Sequence, residues 1–228
     1  MADVIFLAAG KGKRAKLGYP KQLSLLGGKP IMIHSLELFQ SMPEVERIIV
    51  ATMTEKMSDI ASLCDSYEIT KATIVGGGNT RQESVYNAIQ FVTTEKVLIH
   101  EAVRPFITKE FVSKIINGGI GNNAVVPGMP LMPTIFDIEK KNYPDRSKLF
   151  DIQLPQLFNT ALLRDAHETA RGQNFTDDSS LFYLITGNMP LFILGLEENI
   201  KITTPLDLIL AEVIYYERFC DSNSYRSK

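Results

Sequence analysis

The sequence predicts an α/β fold with a mostly parallel central sheet. Short apolar runs rich in β-branched residues, which are typical of buried strands, alternate along the chain with segments of helical periodicity. Such alternation favours parallel strands joined by helices. With 228 residues and 45% hydrophobic content, the chain can bury a sizeable core, and we expect a single domain over residues 1–228.

The predicted elements follow one another in a regular order. Apolar runs predict strands at residues 3–9, 46–52, 72–78, 95–102, 123–130 and 189–196. Helical periodicity predicts helices at residues 30–40, 80–92, 108–117, 159–170 and 205–219. Pro30 and Pro205 stand where the first turn of a helix tolerates proline, and Thr80 with Glu83 has the spacing of a capping box.

One segment, residues 131–155, breaks this alternation. It is charged and contains several prolines, and its only strand-like piece is TIFDI at residues 134–138. We expect it to form an arm that protrudes from the main domain.

The overall charge excludes several classes of partner. The formal net charge is -2, whereas general nucleic-acid or membrane-surface binding needs a broad basic face. No apolar run reaches the roughly 20 residues that a membrane span requires. The two cysteines, Cys64 and Cys220, are far apart in the chain, and the N-terminus lacks a basic leader ahead of its apolar run. We therefore expect a cytoplasmic protein with structural thiols.

The N-terminal loop, LAAGKGKRAKLGYPKQ at residues 7–22, concentrates positive charge directly after the first predicted strand. Its cations are Lys11, Lys13, Arg14, Lys16 and Lys21. A dinucleotide-binding fingerprint fits poorly because Gly18 and Pro20 interrupt the helix that should follow, and the loop lacks the GK[ST] of a Walker motif. A solvated basic turn would leave the glycines after a buried strand unexplained. Glycines allow backbone amides to approach an anion, and clustered cations offset its charge, so the loop suits a nucleoside triphosphate.

Five motifs in order give the sequence a family resemblance. They are the N-terminal loop, GGNTRQESV (77–85), HEAVRPF (100–106), QLPQLFNTALL (153–163) with TDDSS (176–180), and NIKITTPLDL (199–208). From residue 4 to about residue 212, the chain resembles the cytidylyltransferases that act on 2-C-methyl-D-erythritol 4-phosphate and on ribitol 5-phosphate, within the sugar-nucleotidyltransferase superfamily. The resemblance implies a Rossmann-like nucleotidyltransferase domain that transfers CMP from CTP to a polyol phosphate.

The resemblance also implies roles for individual residues. The residues that match the CTP-binding part of the family are Ala8, Ala9, Gly10, Lys11, Gly12, Lys13, Gly77, Gly78, Asn79, Ser84 and Ala102. Those that match its catalytic cations are Arg14, Lys21, Arg146 and Lys201. Positions that match acceptor-binding residues are Arg104, Thr134 and Thr176. Thr176 with Asp177 equally resembles a helix cap.

A metal and a partner subunit are implied in the same way. Glu101 stands where the family usually has the aspartate that binds Mg2+, and a glutamate still offers a hard oxygen. In the family, the arm around Thr134 and Arg146 comes from the neighbouring subunit, so a homodimer with shared sites is implied.

Departures from the family pattern leave the acceptor open. Pro133 replaces a common aspartate ahead of Thr134, and Leu154 replaces a common threonine. TDDSS resembles the methylerythritol enzymes more closely, whereas the valine of HEAVRPF is frequent in the ribitol enzymes. We expect the methylerythritol phosphate as acceptor, with ribitol 5-phosphate or a related polyol phosphate as the alternative. A non-catalytic nucleotide-binding protein is an alternative of a different class, and a Rossmann oxidoreductase has only the loose glycine pattern in its favour.

Overall fold

The computed structural model describes residues 1–10 and 21–219. Eight strands of this part of the chain form one sheet: β1 Ala2–Leu7, β4 Val45–Thr52, β5 Ala72–Gly76, β6 Lys96–Glu101, β7 Ala124–Pro130, β8 Phe150–Ile152, β9 Gln156–Asn159 and β10 Leu191–Leu194. Two further strands, β2 Leu25–Leu26 and β3 Lys29–Pro30, pair with each other. The helices are α1 Ile31–Ser41, α2 Met57–Ser66, α3 Arg81–Ile89, α4 Lys109–Gly118, α5 Thr160–Thr169, α6 Asp178–Thr186 and α7 Pro205–Phe219.

The central sheet is mostly parallel, as the sequence predicts. Its strand order is β10-β7-β9-β6-β1-β4-β5, and β8 pairs with β7 outside this path. Strands β5, β4, β1 and β6 are parallel neighbours, and so are β7 and β10. The short strand β9 lies between these two groups and is antiparallel to both. The chain thus forms a single α/β domain.

The core consists of two layers of apolar side chains, one on each face of the sheet. Along β1, Val4 and Phe6 belong to one layer and Ile5 to the other, as the alternation of a strand requires. Helices α1, α2 and α4 cover the first face, and α3, α5 and α6 cover the second. Because the central strands are buried on both faces, they are almost continuously apolar, and this is why the sequence predicted them.

The six predicted strands and five predicted helices all occur, with shifts of a few residues at their ends. Several features differ from the prediction, among them the short strands β2, β3 and β8 and helix α6, which were not among the predicted elements. Helix α2 was not predicted, because only Ile60 and Cys64 of it are buried. Strand β9 was not predicted either, because four residues between a proline and a helix carry little periodicity. The strand-like piece TIFDI at residues 134–138 forms no strand: apart from one isolated bridge, Asp137 to Asn142, it pairs with no strand among the described residues.

Residues 131–149, together with β8, form the predicted arm between β7 and β9, which we call the excursion. Most of its side chains are exposed, and its one short helix, Arg146–Lys148, is capped by Asp145. Strand β8 attaches the end of the excursion to β7 through the pairs Gly128 to Ile152 and Pro130 to Phe150.

The connections place a crevice at the carboxyl ends of the central strands. From β1 the chain moves through β4 to β5 on one side, and then returns to β6 on the other side of β1. In open α/β sheets, ligands bind at such a reversal of strand order. The loops after β1, β5 and β6 therefore meet at one edge of the sheet.

Two further predictions concern the thiols and the membrane. Cys64 is buried and free, and burial raises the pKa of its thiol to about 11, which supports a structural role. Cys220 lies outside the described residues. Among the helices of residues 1–10 and 21–219, none combines the length and apolarity that crossing a bilayer requires.

Candidate active site

A cleft with a volume of about 510 Å³ lies at the carboxyl edge of strands β1, β5 and β6. The described residues that line it are Leu7, Ala8, Ala9, Gly10, Lys21, Gln22, Gly78, Asn79, Thr80, Arg81, Ser84, Glu101, Ala102, Val103 and Lys201. Most of them come from three of the motifs in the sequence, and Lys201 comes from a fourth that lies about a hundred residues further along. The cleft is large enough for a nucleotide.

The start of the N-terminal loop is fixed by backbone groups. The amide of Ala8 donates to the carbonyl of Ala51 over 2.8 Å, and this extends the pairing of β1 with β4 by one residue. The buried side chain of Gln22 closes the far end of the loop, because its Nε2 donates to the carbonyl of Ala8 over 2.7 Å. Residues 8–10 and 21–22 therefore lie side by side at the cleft.

The loop after β5 owes its position to a glycine. A Cβ on Gly77 would lie 2.8 Å from the Cβ of Ala9, 3.1 Å from the Oγ of Ser84 and 3.2 Å from the carbonyl oxygen of Thr52. Only glycine allows the two loops to approach this closely, and the amide of Gly77 donates to that same Thr52 carbonyl over 2.6 Å. The two loops thus form one continuous wall of the cleft.

The same loop leads directly into α3. The Oγ of Ser84 accepts from the amide of Gly78 over 3.0 Å and donates to the carbonyl of Thr80 over 2.9 Å. Thr80 caps the helix by accepting from the amide of Glu83, and the Glu83 carboxylate reaches back to the amide of Asn79. The predicted capping box is confirmed, except that the returning hydrogen bond ends one residue earlier than in the standard pattern.

Three cations surround the Glu101 carboxylate at the end of β6. Lys201 Nζ lies 2.9 Å from Oε1 and 2.8 Å from Oε2, Arg81 Nε lies 3.3 Å from Oε1, and Arg104 Nε lies 3.6 Å from Oε2. Glu101 is 6% exposed, and Lys201 is the most exposed of its three partners. The cleft therefore has an excess of positive charge around one buried anion, which suits it to binding further anions.

Burial and the neighbouring cations act in opposite directions on Glu101. Burial raises the pKa of this carboxyl group, but the charges of Lys201, Arg81 and Arg104 outweigh the effect and hold its pKa below the usual value. Burial lowers the pKa of Arg104, and the charge of Glu101 offsets this effect only in part. Glu101 is thus an anion at neutral pH.

Arg104 is held away from the cleft opening by the protein itself. Its Nη1 donates to the carbonyl of Asn199 over 2.7 Å, and its own carbonyl accepts from Ser35 and from His100. The His100 ring is fully buried between Phe6 and Phe39, and burial lowers its pKa to about 3, so His100 is neutral and structural.

Many of the predicted site residues come together in the cleft. Those that line it are Ala8, Ala9, Gly10, Lys21, Gly78, Asn79, Ser84, Glu101, Ala102 and Lys201. Gly77 packs directly behind Ala9, and Arg104 contacts Glu101 without lining the cleft. The predicted residues Lys11, Gly12, Lys13 and Arg14 lie outside the described residues.

Three predicted residues lie elsewhere on the surface. Thr134 and Arg146 are exposed on the excursion, where Arg146 Nη1 donates to the carbonyl of Met132. Thr176 is exposed just before α6, and its neighbour Asp177 is the residue that caps this helix by accepting from the amide of Ser179. Neither the excursion residues nor Thr176 line the cleft of their own chain.

Three functional candidates were not singled out from the sequence. Arg81 and Gln22 line the cleft, and Asp178 forms an ion pair of 2.6 Å with Arg81 from behind it. Arg81 and Asp178 lie within the motifs GGNTRQESV and TDDSS, so the motifs contained them. Their pairing joins positions 97 residues apart, and nothing in the local pattern indicates it.

A divalent cation could use only a small donor set in the described part of the chain. No group of three or more His, Cys, Asp or Glu side chains occurs there, and Glu101 is the one acidic residue among those that line the cleft. Mg2+ is commonly held by one or two carboxylates together with substrate phosphates. Glu101 would fit this mode only if Lys201, which contacts both of its oxygens, moved away from one of them.

The comparisons with known proteins agree over nearly the whole chain. The family model for 2-C-methyl-D-erythritol 4-phosphate cytidylyltransferase matches residues 2–217. This chain belongs to that family. The proteins of this name from Halalkalibacterium halodurans and Bacillus velezensis are 34% identical over 223 residues and 37% identical over 218 residues. The first alignment covers 95% of this chain and 97% of the relative, and the second covers 92% and 94%.

Solved structures of the same family share the fold. The crystal structure of 4-diphosphocytidyl-2C-methyl-D-erythritol synthase from Anaerococcus prevotii has a TM-score of 0.82 and 27% identity, covering 94% of this chain and 95% of that chain. The cytidylyltransferase from Thermus thermophilus has a TM-score of 0.75 and 27% identity, covering 94% and 98%. The resemblance inferred from the five motifs is therefore confirmed, and the cleft of this cytidylyltransferase family member lies where its sheet reverses strand order.

We predict that Gly77→Ala lowers the free energy of unfolding by about 1–3 kcal/mol, because the added methyl group must push apart two loops that are already in contact. The matched control is Gly76→Ala, whose Cβ would meet only Thr54 Oγ1 at an ordinary 3.5 Å. Urea unfolding of both variants checks the prediction. Equal stability of the two would show that the loops separate without cost.

Proposed function

We propose that this protein transfers CMP from CTP to 2-C-methyl-D-erythritol 4-phosphate. The observation that carries the proposal is the continuous match of residues 2–217 to the family of that name. The cation-rich cleft at the carboxyl edge of the sheet supports it independently, because the reaction brings two anionic phosphates together. On the same resemblance, we propose that the protein serves in the synthesis of isoprenoid precursors.

The reaction needs charge stabilisation more than proton transfer. An oxygen of the acceptor phosphate attacks the α-phosphorus of CTP, the bond from that phosphorus to the bridging oxygen breaks, and pyrophosphate departs with the electron pair. A phosphate monoester has a second pKa near ~6, so at neutral pH the nucleophile is largely ionised and no general base is required. Cations placed around the phosphates lower the repulsion between the reactants and stabilise the departing pyrophosphate.

Lys21 and Lys201 are the described cations best placed for this task. Both line the cleft, and Lys201 is the most exposed of the cations around Glu101. On the nucleotide side, the loop of Ala8–Gly10 offers backbone groups where the resemblance places the CTP phosphates. The loop of Gly77–Asn79 offers them where the resemblance places cytosine. Arg14 is proposed as a further catalytic cation on the resemblance alone.

A divalent metal, with Mg2+ as the expected ion, belongs to the proposal. Glu101 would hold it through a carboxylate oxygen, with phosphate oxygens of CTP as further ligands. When bound, the ion would neutralise part of the triphosphate charge. Relative to an aspartate at this position, the longer Glu101 side chain places its carboxylate one methylene further into the cleft.

We also propose that the active protein is a homodimer with shared sites. Thr134 and Arg146 lie on an exposed excursion and do not line the cleft of their own chain, although the resemblance makes Thr134 an acceptor-binding residue and Arg146 a catalytic cation. Phe150 and Phe192 stack on each other at the base of the excursion with 43% and 44% of their surface exposed. Such exposed apolar surface favours a protein partner, and a second copy would bring its excursion to the cleft. The cytoplasmic location stays a prediction from the sequence.

The first test is pyrophosphate release from CTP and Mg2+, with 2-C-methyl-D-erythritol 4-phosphate and ribitol 5-phosphate offered separately. We expect turnover with the first acceptor and with CTP only, since ATP, GTP and UTP lack the cytosine that the Gly77–Ser84 region is proposed to bind. Turnover with ribitol 5-phosphate alone would reassign the acceptor. CTP binding without pyrophosphate release from either would support a non-catalytic nucleotide-binding protein.

We predict that Lys201→Ala lowers kcat by roughly 100- to 1000-fold, because a cation aimed at the reacting phosphates is lost. Its free energy of unfolding should fall by less than about 1 kcal/mol, since Glu101 keeps Arg81 and Arg104 as partners. Steady-state kinetics and urea unfolding measure the two effects. Lys114→Ala, on the exposed side of α4, is the control and should leave both unchanged. Parallel losses of activity and folding would indicate that Lys201 has a structural role instead.

We predict that two inactive variants restore each other in a mixed dimer. Lys201→Ala disables the cleft of its own chain, and Arg146→Ala disables the excursion that it lends to the other. A mixed dimer, purified on two different tags, has one site with neither substitution and should show about half of the wild-type activity per dimer. Either variant alone should stay inactive. No recovery in the mixed dimer would mean that the excursion does not serve the partner's site.

A further inference from the structure

A row of ionisable side chains continues behind the cleft. His167 of α5 contacts Asp178 of α6, with 3.1 Å between Nε2 and Oδ1. Asp178 contacts Arg81 of α3, with 2.6 Å between Oδ2 and Nη1. Arg81 in turn contacts Glu101 of β6, with 3.3 Å between Nε and Oε1. This row of contacts thus connects three helices with one strand, and Arg81 is the link between the helices α5 and α6 and the strand β6.

Asp178 is ionised in this position. Its side chain is 2% exposed, and burial raises the pKa of the carboxyl group, but the charge of Arg81 and the hydrogen bond from His167 outweigh this and hold the pKa below its usual value. Because an ionised carboxylate can only accept, Nε2 of His167 carries the hydrogen of that bond. Each carboxylate oxygen of Asp178 therefore has its own partner.

The arrangement fixes Arg81 from two sides. Its guanidinium is held by Asp178 through one terminal nitrogen and by Glu101 through Nε. A buried ion pair adds little net stability compared with apolar side chains of the same volume, since both charges must leave water. Its clear consequence here is orientation, because a planar guanidinium with two carboxylate partners cannot rotate without breaking one of the contacts.

Lys201 is less firmly oriented than Arg81. Both neutralise Glu101, but 36% of the Lys201 side chain is exposed against 25% of Arg81, and a lysine ammonium sits on a flexible stem. If Lys201 turns towards a phosphate, Glu101 loses its closest cation. Arg81 and Arg104 then remain beside the carboxylate, together with the metal ion that Glu101 is proposed to hold.

We propose that Arg81 is a positioning residue, held by Asp178 and, through Asp178, by His167. Arg81 keeps the Glu101 carboxylate oriented and its charge compensated while the ammonium group of Lys201 moves from Glu101 to the phosphates of CTP. The inference rests on the proposed function and adds to it a second layer of residues. Arg81 acts through Glu101 and Lys201, and Asp178 and His167 act only through Arg81.

The central experiment compares Asp178→Asn with Asp177→Asn. Asp178→Asn keeps the shape of the side chain but removes the charge that holds Arg81, and we expect kcat to fall by roughly 10- to 100-fold, as small displacements of reacting groups do. The KM for CTP should change less than about threefold, because the loops on the nucleotide side stay intact. Asp177→Asn keeps a good helix cap and removes a charge that acts on Arg81 without forming an ion pair with it, so kcat should fall by less than about threefold.

A double-mutant cycle separates positioning from a general structural effect. If Asp178 acts through Arg81, adding Asp178→Asn to Arg81→Met should change kcat by less than about twofold beyond Arg81→Met alone. Independent structural effects would multiply instead. Unfolding midpoints and circular dichroism show whether each variant is folded.

A second pair of variants tests the network even where Asp178→Asn does not fold. His167→Gln keeps an N–H group near the position of Nε2, whereas His167→Leu removes it. We expect kcat close to wild type for the first and a clear reduction for the second.

The outcomes are distinguishable. Wild-type kcat in Asp178→Asn, multiplied effects in the double variant, or equal kcat in the two His167 variants would overturn the positioning role while leaving the proposed function in place. A wild-type protein that releases no pyrophosphate would overturn the proposed function, and the positioning role with it.

Discussion

Most charged groups in the cleft take their positions from the Glu101 carboxylate. It ends strand β6 at the point where the sheet reverses strand order, and Lys201, Arg81 and Arg104 converge on it from separate parts of the chain. Without this anion, the three cations that now lie within 4 Å of it would repel one another. With it, they stay together as a preformed cluster of cations, which the proposed function assigns to the phosphate groups.

The sheet supplies the framework that makes this convergence possible. Residues at the carboxyl ends of parallel neighbours lie next to one another whatever their distance in sequence, so Leu7 is in register with both Ala51 and Glu101. The absence of a side chain at Gly77 then brings the loop after β5 against Ala9. A nucleotide-sized cleft results from strand register and one close approach, without a separate binding domain.

The prediction agrees with the structure for elements that have a clear local sequence pattern, and it fails for elements that lack one. Apolar β-branched runs predicted the parallel strands because burial on both faces leaves a continuous pattern. The capping box at Thr80 was predicted because it spans only four residues. Strand β9 is only four residues long, and helix α2 buries only Ile60 and Cys64, so neither shows a visible periodicity.

The same distinction applies to the site. Most cleft residues lie in short motifs and were predicted, including Lys201, whose motif is distant but recognisable, whereas Gln22 and Arg81 were not singled out. The ion pair of Arg81 with Asp178 depends on how α3 and α6 pack, which no single stretch of sequence encodes. Glu101 was interpreted as a metal ligand, and its threefold engagement with cations became visible only when the strands and the region of Lys201 were placed together.

The position of β9 has a consequence for the order in which the chain can assemble during synthesis. Strands β5, β4, β1 and β6 are complete once residue 101 has been made, and they pair directly with one another. Strand β7 follows them in sequence but pairs with β9 instead of β6, so it has no place in the sheet until Gln156–Asn159 leaves the ribosome. The nascent protein thus holds most of its cleft wall early, in residues 7–103, and waits for Lys201 nearly a hundred residues later to complete the charge balance around Glu101.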